Sequence, residues 1–254
     1  MHFGFVLNLV ACLFTIYACF SISESFDVLS QSSFGEISLT EVNGKFPDGV
    51  ELFIGLRAAA LDNPINGVGE VVVGFDQICD LDGFQRYMDP ADCETCREIS
   101  ANTVTSLIMA VVSFLPSFTT DILRMYSGYD VNCQKFFAVV FGTITVLLTM
   151  NTLFTYKFYC SDKFYSGIYG FDADGNVLSA DVPTDSGEYE IDFDYTWGWG
   201  LMFLLAGTVL KFADAFFHCI VPTPIVTRDN GEKTIYEKIK GEDEEEEEVL
   251  EEEP

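Results

Sequence analysis

Lys211, Asp214 and His218 stand at positions i, i+3 and i+7 of one apolar run, 197–221. On a helix that spacing places all three on one face. An ammonium, a carboxylate and an imidazole in a row can pair, relay a proton or bind a passing ion. Ionisable groups at membrane depth are expensive, so they are usually paired or functional. Two readings compete. Lys211 lies fourteen residues past Trp197, roughly 21 Å along a helix, which lets its stem snorkel to the near interface as half of an interfacial Lys211–Asp214 pair. A transport or proton route would instead need polar groups facing it from other apolar runs, and these offer only Asn8, Asn151 and Asp121, thin for conduction.

The eight cysteines divide by place. Cys79, Cys93, Cys96 and Cys160 fall in or beside polar segments, and an even number there suits disulfides in an oxidising compartment. Four cysteines allow three pairings, which sequence does not choose between. The Cys93-x-x-Cys96 spacing also admits zinc or redox chemistry. A zinc site would want a second such pair or two histidines nearby, whereas the two histidines, His2 and His218, belong to the opposite face. Disulfides are therefore the expectation. Cys133 and Cys219 flank apolar runs and are palmitoylation candidates, against a plain apolar-filler reading. Asp172 and Asp174, in Asp172-Ala173-Asp174-Gly175-Asn176, resemble part of a calcium loop. An EF-hand places glycine sixth and a bidentate acid last, but here glycine is fourth, so the string reads first as a hairpin turn. No nucleophile–base set or metal cluster converges on one face, so neither an enzyme nor a cofactor is expected.

These side chains must be positioned by a chain that is 49% hydrophobic yet carries a formal charge of −27. Such a combination requires the two properties to be segregated, as in a membrane protein with charged loops. Four apolar runs, 1–22, 100–123, 136–156 and 197–221, each approach the length of about 20 residues that a spanning helix needs. The first also admits reading as a signal peptide, although it has no basic leading segment and is expected to remain as a helix. Between the runs lie loops 23–99, 124–135 and 157–196, and an acidic tail, 222–254, expected to be disordered. Loop 23–99 holds 15 acidic against 4 basic residues and loop 157–196 holds 9 against 2. Basic residues are denser in 124–135 and in the tail, which orients both termini to the cytoplasm and both long loops outside, in the plasma membrane. The acidic faces exclude nucleic acid and anionic lipid and permit divalent cations or basic protein surfaces.

Loop 23–99 is too rich in β-branched and aromatic residues for disorder. Strands are expected over 34–42, 49–61 and 69–78, separated by Asn43-Gly44 and Asn66-Gly67, as an antiparallel meander. Asp89-Pro90 reads as a helix start with proline in the first turn. In loop 157–196, FYSGIYGF and NVLSAD flank Asp174-Gly175 and read as a hairpin.

The fold class is thus a mainly α membrane protein, a four-helix bundle carrying a small antiparallel sheet. Gly55-Leu56 in the middle strand, the segment ahead of the second span and the aromatic-glycine YTWGWG before the fourth resemble the claudin and peripheral-myelin-protein superfamily of tetraspan proteins. In that family the first loop carries a tryptophan, then Gly-Leu-Trp, then two cysteines on adjacent strands. Here Arg57 takes the tryptophan position and Cys79 alone can stand for the second cysteine. The resemblance implies adhesion, a junctional barrier or an accessory role in a larger membrane complex, with Phe53, Gly55, Leu56 and Arg57 at the interacting surface. A channel or transporter using Lys211, Asp214 and His218 is the competing expectation. Expected partners are the lipid bilayer and other membrane proteins, including copies of this chain.

Overall fold

The computed structural model describes residues 2–41, 50–63, 69–80, 87–126, 132–171 and 189–220. Helix α1 (His2–Cys19) continues through a 3₁₀ turn, Phe20–Ile22, into α2 (Phe26–Ser32). Strands β1 (Gly35–Glu41), β2 (Val50–Ile54), β3 (Ala58–Asn63) and β4 (Gly69–Gly74) follow, then α3 (Phe75–Ile78) and the long helices α4 (Pro90–Tyr126) and α5 (Asn132–Tyr159). A second 3₁₀ turn, Ser161–Lys163, precedes β5 (Gly167–Phe171), β6 (Tyr189–Trp197) and α6 (Trp199–Ile220).

Four of these helices are long and apolar enough to cross a membrane, a form that meets its backbone hydrogen bonds internally as lipid demands, save where Pro116 inside α4 has no N–H to give. They form a ring in which α1 packs on α4 and α6, and α5 packs on the same two. Small residues set the close approaches. A methyl group on Gly142 of α5 would meet Ala215 at 3.2 Å, and one on Gly207 of α6 would meet the Ala11 carbonyl at 3.1 Å. Threonines inside the bundle turn their hydroxyls onto the preceding turn, as Thr208 does to Leu204 at 2.7 Å and Thr145 to Phe141 at 2.8 Å. Helix α4 starts at Pro90, with Asp89 Oδ1 accepting the Ala91 amide at 2.9 Å. It therefore begins well before the apolar run and lifts its first turns into the polar domain.

All six strands join one antiparallel sheet in the order β4-β3-β2-β1-β6-β5. The sheet is larger than the expected meander because both long loops contribute to it, β6 pairing along the whole of β1 from Gly35↔Trp197 to Glu41↔Ile191. Ile37, Leu52, Ile54, Ile191 and Phe193 bury one face against Leu107 of α4, Tyr156 of α5 and Leu204 of α6. Leu29 of α2 packs over Ala58 and Ala60 on the other face, which α2 thereby covers in part.

Three expectations are corrected. The run 49–61 is two strands, not one, because the chain reverses at Gly55-Leu56-Arg57 and pairs Ile54 with Ala59. The strand expected over 69–78 stops at Gly74, and Phe75–Ile78 is the short α3. Tyr189–Trp197 is a strand, so the fourth apolar helix opens at Trp199. The expected NVLSAD strand and the Asp174-Gly175 turn lie outside the described residues.

Candidate functional site

The polar residues of the fourth apolar run assemble with partners from two other helices. Lys211 Nζ donates to Asn8 Oδ1 at 2.7 Å and to Ser117 Oγ at 2.8 Å, and pairs with Asp214 Oδ2 at 2.8 Å. Asn8 Nδ2 donates to Asp121 Oδ2 at 2.8 Å and to Ser117 Oγ at 3.1 Å. His218 Nε2 lies 3.3 Å from Asp214 Oδ1 and 3.4 Å from Asp121 Oδ1, bridging the two carboxylates. The Lys211 ammonium also lies over the Phe114 ring, 5.3 Å from its centroid. Gly4 of α1 borders the site, where a methyl group would contact Asp214 Oδ1 at 3.5 Å.

Lys211 is 0% exposed and Asp214 1%. The snorkelling geometry is thus corrected: the lysine turns into the bundle, where three oxygens replace water around its ammonium. Asn8 and Asp121, named from sequence as possible facing groups, both join, and Ser117 joins them. Asn151 does not, since it donates instead to Ser106 at 3.0 Å. A protonated His218 with Lys211 balances Asp121 and Asp214, so the cluster can be neutral as a whole while cross-linking α1, α4 and α6. In a low-dielectric setting such a network is worth far more satisfied than broken.

At the sheet end, the four loop cysteines pair as Cys79–Cys93 and Cys96–Cys160. Cys93 and Cys96 go to different partners, so the C-x-x-C spacing serves two bridges. One ties the chain after α3 to α4, and the other ties the end of α5 to the next turn of α4. Cys12, Cys19 and Cys219 are free, Cys219 being exposed near the end of α6. The Cys133 side chain lies outside the described residues, as do Asp172 and Asp174. Among the described residues no group of three or more histidine, cysteine or carboxylate side chains is placed to hold a metal ion.

The four residues expected at an interacting surface separate. Gly55 and Leu56 turn inward, Leu56 being 2% exposed. The Leu56 amide donates to the Ser21 carbonyl at 2.8 Å, its carbonyl accepts from Ser100 Oγ, and the Arg57 carbonyl accepts from the Phe75 amide at 2.7 Å. The turn is therefore a peg that fixes the sheet to the 3₁₀ turn after α1, to α3 and to α4. Phe53 is half-buried, edge-on to Phe26 of α2 at 6.0 Å. Arg57 alone of the four is exposed.

The open surface of the sheet lies elsewhere. Glu36, Ser38 and Thr40 of β1 oppose Thr196, Asp194 and Asp192 of β6, and Ser38 opposes Glu51 of β2 on its other side. Their side chains alternate with the buried set and carry four carboxylates. Ile168 of β5, paired with Asp192 and 52% exposed, adds an apolar residue at the edge of that face. Behind it, Tyr195 stacks on Phe164 with centroids 5.6 Å apart, and burial raises its phenol above the ordinary tyrosine value. No family model matches the chain, and no curated protein matches it.

Proposed function

We propose that the chain is a non-enzymatic membrane protein that docks another membrane protein through the open face of its sheet, as an adhesion protein or an accessory subunit of a larger complex. The observation that carries this reading is the acidic face built by Glu36, Glu51, Asp192 and Asp194 across β2, β1 and β6, on a sheet fixed to the bundle by the Leu56 turn. Such a face complements a basic surface, and electrostatic matching of this kind sets partner choice and encounter rate. With the long loops outside, as the distribution of basic residues favours, that partner stands in the same or an apposed plasma membrane. The resemblance to the claudin superfamily points to the same class of role, and rests on Gly55-Leu56 and YTWGWG. Chemical crosslinking in native membranes, with and without calcium, tests the reading. An adduct weakened by raised salt is expected, and recovery of the monomer alone in every condition contradicts it.

A second reading rests on the buried cluster of Asn8, Ser117, Asp121, Lys211, Asp214 and His218, whose charges span three helices. It makes the chain a channel or transporter subunit. Replacing Lys211 with leucine and Asp214 with methionine abolishes flux in that case, and unchanged flux at normal surface expression removes it.

A further inference from the structure

A cavity of about 760 Å³ opens beside the Leu56 turn, between that turn, α3 and the first half of α4, within the range of about 300–1,000 Å³ common for small-ligand sites. Among the described residues its charged lining is Arg57, Arg97, Glu24 and Asp76, and its apolar lining includes Ala101 and Val104. Two features single it out. Loop 23–99 holds four basic residues among 15 acidic ones, and both described basic residues, Arg57 and Arg97, line this one cavity. The cavity also straddles the border between two parts of α4. Glu94, Arg97 and Glu98 precede it, and no charged residue follows until Asp121. Ile108 and Met109, 48% and 52% exposed, begin the apolar outer surface just beyond.

The lining has donors for a phosphate and acceptors for a cation. Arg57 stands 4.0 Å from Glu24 with both side chains more than half exposed, a separation at which an exposed pair contributes little, so its fork is available. Arg97 is anchored by Glu94 and by the Asp76 carbonyl at 3.4 Å, which aims the guanidinium without consuming its five donors. Guanidinium forks match phosphate oxygens bidentately. Glu24, Asp76 and the Glu94 carboxylate that anchors Arg97 more than offset the two arginines, so a ligand with a single negative charge is disfavoured and one carrying both signs is matched. A quaternary ammonium would want a cage of aromatic rings, and among the described residues the cavity offers Phe75. Carboxylates suit a primary ammonium with protons to donate. We infer that this cavity binds the phosphoethanolamine head group of a membrane phospholipid, with the acyl chains lying along α4 past Ala101 and Val104.

Full-length protein, stripped of lipid and offered equal amounts of phosphatidylethanolamine, phosphatidylcholine and phosphatidylglycerol in mixed micelles, tests this by native mass spectrometry of the retained lipid. The wild type retains phosphatidylethanolamine at least about fivefold over either competitor. Arg57→Gln with Arg97→Gln lowers its retention about tenfold, whereas Lys157→Gln leaves it unchanged. Glu24→Gln with Asp76→Asn shifts preference toward phosphatidylglycerol. That second pair is exposed, so it keeps the proposal open to refutation if the arginine variant fails to fold. Equal retention of the three lipids by the wild type, or a preference unmoved by either double variant, overturns the inference. Soluble phosphoethanolamine binding as tightly as the lipid overturns its membrane source.

Discussion

Lys211 is a charge surrounded by Asn8, Ser117 and Asp214, and its energetics follow from what each deletion leaves behind. Lys211→Met removes the ammonium from Asp214 and leaves His218 to face both Asp214 and Asp121, and is expected to cost about 3–5 kcal/mol, as removal of one member of a buried pair does. The double variant Lys211→Met with Asp214→Leu removes both charges and should lose less than the single variant, which thermal unfolding in detergent will show. Gly55→Ala makes a second test. The added methyl would collide with the Ser21 carbonyl and with Leu29 Cδ1, and overpacking of this kind costs about 1–3 kcal/mol, read as a lower melting temperature. The polar cluster was half legible in sequence. The i, i+3, i+7 spacing gave the face of one helix, and Asn8 and Asp121 were visible as polar residues in apolar runs. Their convergence depends on which helices neighbour one another in the ring, which spacing within a helix does not encode. Ser117 carried no signal, since a lone serine in a spanning helix usually bonds its own preceding turn.

The elements of the sheet are joined to the bundle by covalent and aromatic contacts with different sensitivities. Cys96–Cys160 closes a separation of 64 residues and Cys79–Cys93 one of 14, so on the chain-entropy account loss of the former should cost roughly 1 kcal/mol more. Unfolding of Cys96→Ser/Cys160→Ser against Cys79→Ser/Cys93→Ser measures the difference. Tyr195 gives a pH prediction. Burial raises its phenol above the ordinary tyrosine value of 10.0, so the folded chain holds that proton more tightly than the unfolded chain. The resulting stability is complete below about pH 10 and is lost as pH rises through the folded value. Tyr195→Phe keeps the ring against Phe164 and should move the alkaline unfolding midpoint upward, and an unchanged midpoint would assign the transition to other groups. The β6 strand was written plainly in the sequence, with Ile191, Phe193 and Tyr195 alternating with Asp192 and Asp194. It was masked by Trp197 and Trp199, which read together as the aromatic mouth of a span. The turn at Gly55 was hidden for another reason. Leu56 is as apolar as the strands on either side because it points into the core, so Arg57 is the one polar residue in a hydrophobic run that otherwise continues through the reversal.

At the scale of the whole molecule, four helices with the length and composition of membrane spans carry a six-stranded sheet drawn from both long loops. The segregation of apolar runs from acidic loops announced that division, since neither part tolerates the solvent of the other. The size of the sheet was not announced, because pairing β1 with β6 is a contact across 150 residues or more, and local pattern has no access to it. The central proposal is that the acidic face of β2, β1 and β6 meets a partner. A photo-crosslinking residue placed at Asp194 of the full chain in its native membrane tests it most directly, with the same residue at Val209, exposed on α6, as the comparison. The expected result is a discrete adduct from position 194 containing another membrane protein, absent from position 209 and lost when Asp192 and Glu51 are changed to lysine. No adduct at 194, or the same products from both positions, would contradict the docking role of the sheet.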